Sequence, residues 1–225
     1  MANEITAQLK RDGVKKNYDL IAEKYGIDFG TYIEDIDVYE EFEKNLVDNA
    51  KILDLGAGTG RTYAYFNQRG YEYIGLDFSS EMKQYAYKLH GEFPYILDDM
   101  VNLKNYFKNN SIDAVFAVYS LFHIPKENFK QIFKDIFDVL KDGGLFLFSY
   151  QIGTGEEMVD EPYLKTNGKN VLYMNYQTNE EIEELLDLFS YKKIYRKEKI
   201  ETSEFAINSN DTTTVYMIVK KNKNL

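Results

Sequence analysis

Two aspartates and a run of glycines occupy positions where binding chemistry is expected. The segment Ile52–Arg61 reads Ile-Leu-Asp-Leu-Gly-Ala-Gly-Thr-Gly-Arg, and a second acid, Asp77, ends the next apolar run. Glycines adopt positive φ angles and let a ligand approach the backbone closely. The acid before the glycines, Asp54, suits a positively charged group, whereas Asp77 can accept both hydroxyls of a ribose. These residues predict a nucleoside-binding loop made by Gly56, Ala57, Gly58 and Gly60.

The spacing of the glycines bears on which nucleoside binds. A dinucleotide loop has the pattern Gly-x-Gly-x-x-Gly, with the third glycine inside the helix and a pyrophosphate at the helix N-terminus. In this chain Arg61 holds the position of the third glycine, and Asp54 would lie poorly beside a pyrophosphate. Asp54 is well placed for an ammonium group. S-adenosylmethionine (SAM) has an ammonium and no phosphate, so the loop fits SAM better than NAD.

The elements that must position this loop alternate between strand and helix. Short apolar runs predict buried strands of a parallel sheet, and they cover Lys51–Leu55, Tyr73–Asp77, Tyr95–Leu97, Ala114–Tyr119 and Gly144–Tyr150. Amphipathic stretches predict helices between them, at Arg61–Gln68, Ser80–His90 and Asn128–Leu140. Such alternation is typical of right-handed βαβ units.

The flanking segments complete the predicted fold. Helical periodicity over Val14–Leu46 predicts an N-terminal helical lid, and Gln151–Gln177 has no clear periodicity. A helix at Asn179–Phe189 is followed by two strand-like runs, Lys192–Ile200 and Thr213–Lys220, which are expected to form an antiparallel hairpin. The fold class expected is α/β: a Rossmann-like, doubly wound, seven-stranded, mostly parallel sheet with an antiparallel C-terminal edge hairpin.

We expect one domain over residues 1–225. Within it, residues 1–48 would form the lid, 49–150 the cofactor-binding core, 151–177 a cap, and 178–225 the C-terminal helix and edge hairpin.

The segment Ile52–Arg61, with Asp77-Phe78-Ser79-Ser80-Glu81-Met82 behind it, resembles the SAM-binding core of class I methyltransferases over about residues 49–150. The resemblance implies methyl transfer from SAM to an oxygen, nitrogen or carbon of a small molecule, releasing S-adenosylhomocysteine (SAH). It places Asp54 and the loop glycines at the methionine end, Asp77 on the ribose, and Phe78 against the adenine. Asp99-Met100 resembles the pair that reads adenine, although Asp98 adjoins it. The resemblance also assigns cofactor contacts to Tyr18, Tyr25, Ala57, Met82 and Val118.

Two candidate catalytic residues come from other segments. His123 lies in the loop that follows the fourth strand, and an imidazole has a pKa suited to accepting a proton near neutrality. Packing beneath the loop is the alternative role for His123. The segment Tyr18–Tyr25 resembles the start of many small-molecule methyltransferases, whose Tyr18 position can face the sulfonium. Alternatively, Tyr18 and Tyr25 only pack the lid on the body.

Four tyrosines near the presumed cap have two interpretations. They could line an aromatic acceptor site or pack locally, and they are Tyr150, Tyr163, Tyr173 and Tyr176.

The composition argues against several other functions. The chain has no cysteine and two histidines, so disulfides, thiolate catalysis and a metal site are not expected. A net charge of −10 disfavours a nucleic-acid substrate. The N-terminus has no apolar run typical of a signal peptide, and we expect a cytoplasmic monomer or homodimer without membrane contact. An NAD(P)-dependent oxidoreductase, a non-catalytic SAM-binding protein and an enzyme that methylates a basic protein remain as alternatives.

Overall fold

The computed structural model describes residues 2–161, 163, 172–201 and 212–222. Its strands are β1 (Lys51–Leu55), β2 (Glu72–Asp77), β3 (Tyr95–Leu97), β4 (Ile112–Ala117), β5 (Leu140–Gln151), β6 (Glu156–Val159), β7 (Leu172–Asn175), β8 (Tyr191–Glu201) and β9 (Thr212–Lys221). Its α-helices are α1 (Ala2–Phe29), α2 (Ile36–Glu43), α3 (Arg61–Asn67), α4 (Ser80–His90), α5 (Lys126–Val139) and α6 (Asn179–Leu188).

Seven strands form one sheet in the order β3-β2-β1-β4-β5-β9-β8. Strands β1 to β5 pair in parallel, and β9 runs antiparallel to both β5 and the edge strand β8. This topology confirms the predicted Rossmann-like fold with its antiparallel edge hairpin. The strand order reverses between β1 and β4, and ligands of open α/β sheets bind at such a reversal, beyond the carboxyl ends of the strands.

The sheet is covered on both faces, which explains the apolar strands. Successive side chains of a strand point to opposite faces, so Phe146 and Phe148 of β5 join the cluster that contains α5 and α6. Leu145 and Leu147 join the opposite cluster, which contains α2 and α3.

Local sequence sets the start of α4. The Ser79 hydroxyl accepts a 3.1 Å hydrogen bond from the Met82 backbone N–H, as a helix N-cap residue does. The same hydroxyl donates to an Asp19 carboxylate oxygen at 2.6 Å, which joins α4 to α1.

Helix α5 ends at Val139, one residue before the predicted end, because β5 already begins at Leu140. One local expectation was wrong. The segment expected to be irregular contains β6 and β7, which form a separate antiparallel pair. The remainder of that presumed cap, residues 162 and 164–171, lies outside the described residues.

The N-terminal region consists of two helices. Ile21 and Ala22 of α1 pack on Met82 of α4, whereas Val38, Tyr39 and Phe42 of α2 pack into the sheet cluster. Within the described ranges, no helix is long and apolar enough to cross a membrane. The domain subdivisions and the cytoplasmic location stay predictions.

Candidate active site

A pocket of about 850 Å³, including its open mouth, lies at the carboxyl ends of β1, β2 and β4. Helix α1 and the loop after β4 supply its other walls. All but one of the cofactor and catalytic residues expected from the sequence line it, and these are Tyr18, Tyr25, Asp54, Gly56, Ala57, Gly58, Asp77, Phe78, Met82, Asp99, Met100, Val118 and His123.

Asp54, at the end of β1, presents a buried carboxylate to this pocket. The Tyr73 hydroxyl of β2 donates a 2.6 Å hydrogen bond to its Oδ2 atom. Burial raises the pKa of Asp54 to about 7, although hydrogen bonds from Tyr73 and Thr62 act in the opposite direction. Within the described part of the chain Asp54 has no ion pair. A ligand ammonium would therefore be the partner that restores its ionised form.

Asp77, at the end of β2, is held by backbone groups. Its Oδ2 accepts from the Gly58 N–H at 3.0 Å, and its Oδ1 accepts from the Ser79 N–H at 2.9 Å. Burial raises the pKa of Asp77 to about 6 against the effect of these bonds. A carboxylate offers about four lone-pair positions, so about two remain for the hydroxyls of a ribose.

Positive φ angles shape the loop between the two acids. Gly56 has φ +80°, and a Cβ atom there would lie 2.5 Å from Ser120 Cβ, so only glycine allows the β4 loop to approach. Gly60 is the one expected residue outside the pocket lining. It has φ +79° and is the N-cap residue of α3.

Asp99 lines the pocket beyond β3, whereas Asp98 does not. Its Oδ1 accepts from the Val101 N–H at 3.1 Å, and its Oδ2 accepts from Arg11 Nε of α1 at 2.7 Å. Burial raises the pKa of Asp99, against the opposing effects of Val101 and Arg11. The Asp99 carboxylate, which is expected to bind adenine, is therefore also paired with Arg11 of the N-terminal helix α1.

His123 and Tyr18 form a hydrogen-bonded pair. His123 Nδ1 lies 2.9 Å from the Tyr173 backbone carbonyl oxygen, and Nε2 lies 2.8 Å from the Tyr18 hydroxyl. Because a carbonyl only accepts, Nδ1 carries the proton and Nε2 of the neutral ring accepts from Tyr18. Burial lowers the pKa of His123 to about 4, which keeps the ring neutral. The pKa near neutrality expected from the sequence was therefore wrong, because the imidazole is buried and is a weaker base than a free one. The Tyr18 oxygen then presents only lone pairs to the pocket.

The four tyrosines considered for an aromatic acceptor site do not line the pocket. The Tyr150 hydroxyl donates to Asn179, and its ring packs in the core cluster that contains α5 and α6. Tyr173 reaches the site only through its backbone carbonyl, because its hydroxyl donates to Glu156. Tyr163 packs against Tyr25, one of the lining residues.

The pocket has further lining residues that the sequence did not name as cofactor or catalytic contacts, which are Val14, Tyr39, Thr59, Thr62, Leu76, Tyr119, Ser120 and Ile124. Of these, Tyr119, Ser120 and Ile124 belong to the loop of His123, which was expected to border the site. Arg61, considered only as a departure from the dinucleotide pattern, lines the pocket as well. The position of Arg61, directly after the glycines, was the one available signal. Tyr39 and Tyr119 come from α2 and the β4 loop, and no local pattern links them to the glycines. Among the described residues, acidic and histidine side chains form no cluster able to hold a metal ion.

Comparisons of the sequence with known proteins find a matching family and individual relatives. Residues 53–148 match the family described as a methyltransferase domain. An uncharacterised protein of Methanocaldococcus jannaschii is 30% identical over 160 residues, covering 71% of this chain and 60% of that protein. Phosphoethanolamine N-methyltransferase of Plasmodium falciparum is 25% identical over 196 residues, covering 85% of this chain and 71% of the enzyme. The chain thus spans only 60% of the length of the archaeal relative.

A solved structure has the same fold. The 1,6-didemethyltoxoflavin-N1-methyltransferase of Burkholderia thailandensis, with its substrate and SAH bound, matches with a TM-score of 0.67 at 16% identity. The match covers 99% of this chain and 91% of that one. At this level of identity the likeness shows the fold alone.

Proposed function

We propose that this chain, whose residues 53–148 match the methyltransferase domain family, is a class I SAM-dependent methyltransferase that transfers the SAM methyl group to a small molecule. The observation that carries the proposal is a single pocket that holds both Asp54 and Asp77 and also the Tyr18–His123 pair. Acids suited to the two ends of SAM therefore lie beside a group able to accept a proton. SAM is the cofactor of this family, and SAH would be released.

The cofactor would be held mainly by side chains from four chain segments. Asp54 would bind the ammonium, Asp77 the ribose hydroxyls, and Asp99 with the Met100 N–H the adenine. Phe78, Met82 and Val118 would supply apolar contact, while the loop residues Gly56, Ala57 and Gly58 would lie along the methionine portion. Gly60 would act indirectly, by setting the direction of α3.

When bound, SAM would supply an activated methyl group on its sulfonium and would leave as SAH. The lone pairs of the Tyr18 oxygen can accept a hydrogen bond from the acceptor and orient its nucleophilic atom. A proton lost by the acceptor would move to Tyr18 as Tyr18 passes its own to His123 Nε2. Tyr25 would cover the site from the same helix.

The acceptor we propose has an N–H or O–H group, because the Tyr18–His123 pair is useful only where a proton must leave. Nitrogen acceptors come first in the test because phosphoethanolamine N-methyltransferase, which is named for one, matches 85% of this chain, whereas the matches to sterol 24-C-methyltransferases cover 48% and 55% of it.

An acceptor screen with methyl-labelled SAM tests the proposal. Primary amines, nitrogen heterocycles and phenols are incubated with the full chain, and label in the acceptor is measured beside SAH formation. We expect label in at least one protic class, with an equal amount of SAH. SAM binding without transfer to any class would instead support a non-catalytic SAM-binding protein. Absence of SAM binding would contradict the cofactor assignment.

A further inference from the structure

The guanidinium of Arg61 lies in the pocket without a paired anion. Arg61 is the only lysine or arginine among the described lining residues. Within the described part of the chain it makes no hydrogen bond or ion pair, and its neighbours are the tyrosines Tyr25, Tyr39 and Tyr119 and the carboxylate of Asp54. Its guanidinium lies 5.8 Å from the centre of the Tyr119 ring. An arginine is charged at every working pH, and a largely buried charge without a partner is costly.

A second polar group of the same pocket also lacks a partner. The Ser120 hydroxyl is buried, with the residue 7% exposed, and no hydrogen-bond partner for it exists among the described residues. The side chain lies against Gly56 of the loop. Ser120 offers a hydroxyl donor, and Arg61 offers five N–H donors in a planar fork. Such a set of donors suits the oxygens of a carboxylate or a phosphate.

The three acids of the pocket each have hydrogen-bond partners in the chain, although Asp54 has no ion pair among the described residues and is the carboxylate assigned to a ligand ammonium. Asp99 is paired with Arg11, Asp77 accepts from two backbone N–H groups, and Asp54 accepts from Tyr73. The pocket therefore has one cation that its own side chains leave unpaired, and a ligand oxyanion would complete it.

We propose that Arg61 is the oxyanion-binding residue of this pocket and pairs with a carboxylate or phosphate group of the bound small molecules. This inference rests on the proposed function, which offers two sources of the oxyanion. One source is the carboxylate at the methionine end of SAM. The other is an acidic group of the acceptor, in which case the substrate class narrows to amines or alcohols that also carry a carboxylate or phosphate.

Calorimetry separates the two sources. Wild type, Arg61→Gln and Arg61→Lys are titrated with SAH and with decarboxylated SAH, which keeps the ammonium but lacks the carboxylate. Arg69→Gln is the matched control, because Arg69 follows the same helix and pairs with Glu43 outside the pocket. Separately, inorganic phosphate is added to the SAH-saturated proteins, and the change in Tm is compared with chloride at equal ionic strength.

Each source predicts its own result. If the methionine carboxylate is the partner, wild type binds SAH at least about tenfold more tightly than the decarboxylated form. Arg61→Gln then removes that difference, while Arg61→Lys keeps part of it. If an acidic acceptor is the partner, Arg61→Gln leaves SAH binding unchanged, and phosphate raises the Tm of wild type but not of Arg61→Gln.

The proposal is overturned if Arg61→Gln matches wild type and Arg69→Gln in both arms. Failure of wild type to bind SAH would be a different result. It would overturn the proposed function, and the phosphate arm, repeated on the ligand-free protein, would still decide whether Arg61 binds an oxyanion.

Discussion

The Tyr18 hydroxyl lies 2.8 Å from His123 Nε2 and so joins helix α1 to the loop that follows β4 across 105 residues of sequence. The direction of the bond is fixed by the other ring nitrogen, which donates to the Tyr173 carbonyl oxygen. Tyr18 therefore donates to His123 and turns its lone pairs to the pocket. The two residues proposed separately as catalytic thus form one unit.

Removing this unit should lower turnover more than cofactor affinity. Tyr18→Phe keeps the ring but deletes the hydroxyl, and we expect kcat to fall by about 10²-fold, a magnitude typical of a lost proton-transfer group. In His123→Ala, kcat should fall by a similar factor. In the double variant kcat should fall by little more, because the two residues act together. Steady-state kinetics with an identified acceptor measures this, and SAH affinity should stay within about threefold of wild type.

Tyr32→Phe is the matched control, because Tyr32 is 57% exposed and outside the pocket. Full turnover in both Tyr18→Phe and His123→Ala would leave the pair with a packing role only.

Ligand affinity should depend on the protonation of Asp54. Its pKa is about 7 in the ligand-free protein, and a ligand ammonium favours the ionised form. SAH affinity should therefore rise as the pH approaches about 7, by up to about tenfold per pH unit, and level off above it. Tyr73→Phe removes a donor to the carboxylate, so the pKa should rise and the levelling-off move to higher pH. Calorimetry over about pH 5 to 9 checks this.

Tyr63→Phe controls for the loss of a tyrosine hydroxyl, since Tyr63 packs beside Tyr73 and Phe93. An SAH affinity independent of pH in wild type would contradict the role given to Asp54.

The same group should make the ligand-free protein less stable in neutral solution than in acid. A carboxyl whose pKa is raised from 3.8 to about 7 on folding stabilises the fold fully below the lower value and loses that contribution as the pH rises through the upper one. Asp54→Asn cannot ionise and should flatten this part of the dependence. Chemical denaturation at several pH values measures it, and an unchanged dependence in Asp54→Asn would show that other groups are responsible.

Adjacent aspartates provide a test of the adenine assignment. Asp99 lines the pocket, while the Asp98 carboxylate accepts from Tyr106, Asn102 and the Asp99 N–H. Asp99→Asn should weaken SAH binding by about 1–2 kcal/mol, as expected for one lost charged hydrogen bond, and Asp98→Asn by much less. Calorimetry ranks the two variants. A larger loss from Asp98→Asn would move the adenine contact away from Asp99.

Two glycines allow the cost of crowding in the loop to be separated from the cost of backbone strain. Gly56 and Gly70 have φ angles of +80° and +81°, but an added Cβ has contacts within 4 Å only at Gly56. Gly70→Ala should cost about 1–2 kcal/mol from the left-handed backbone alone. Gly56→Ala should cost more and also remove SAH binding, because Ser120 must move. Thermal unfolding and calorimetry compare them, and equal effects of both substitutions would contradict the close approach.

The sequence was sufficient where the signals were local. The apolar run at Lys51–Leu55 matched β1, and the acids at its end and at the end of β2 occur where parallel strands bring them to one pocket. The hydrogen bonds that the pocket acids accept were not predictable. Tyr73 donates to Asp54 from the neighbouring strand, and Arg11 donates to Asp99 across 88 residues of sequence. Strands β6 and β7 lack a period-two pattern and depend on each other for pairing, so the sequence suggested an irregular segment.

Calorimetric titration of SAH into wild type and Asp77→Ala, beside NADH as the rival ligand, is the most direct test. Wild type should bind SAH and not NADH, and Asp77→Ala should lose about 2 kcal/mol, or roughly 30-fold in Kd, through two missing ribose bonds. NADH binding in place of SAH, or an SAH affinity unaffected by Asp77→Ala, would contradict the cofactor pocket assigned to the ends of β1 and β2.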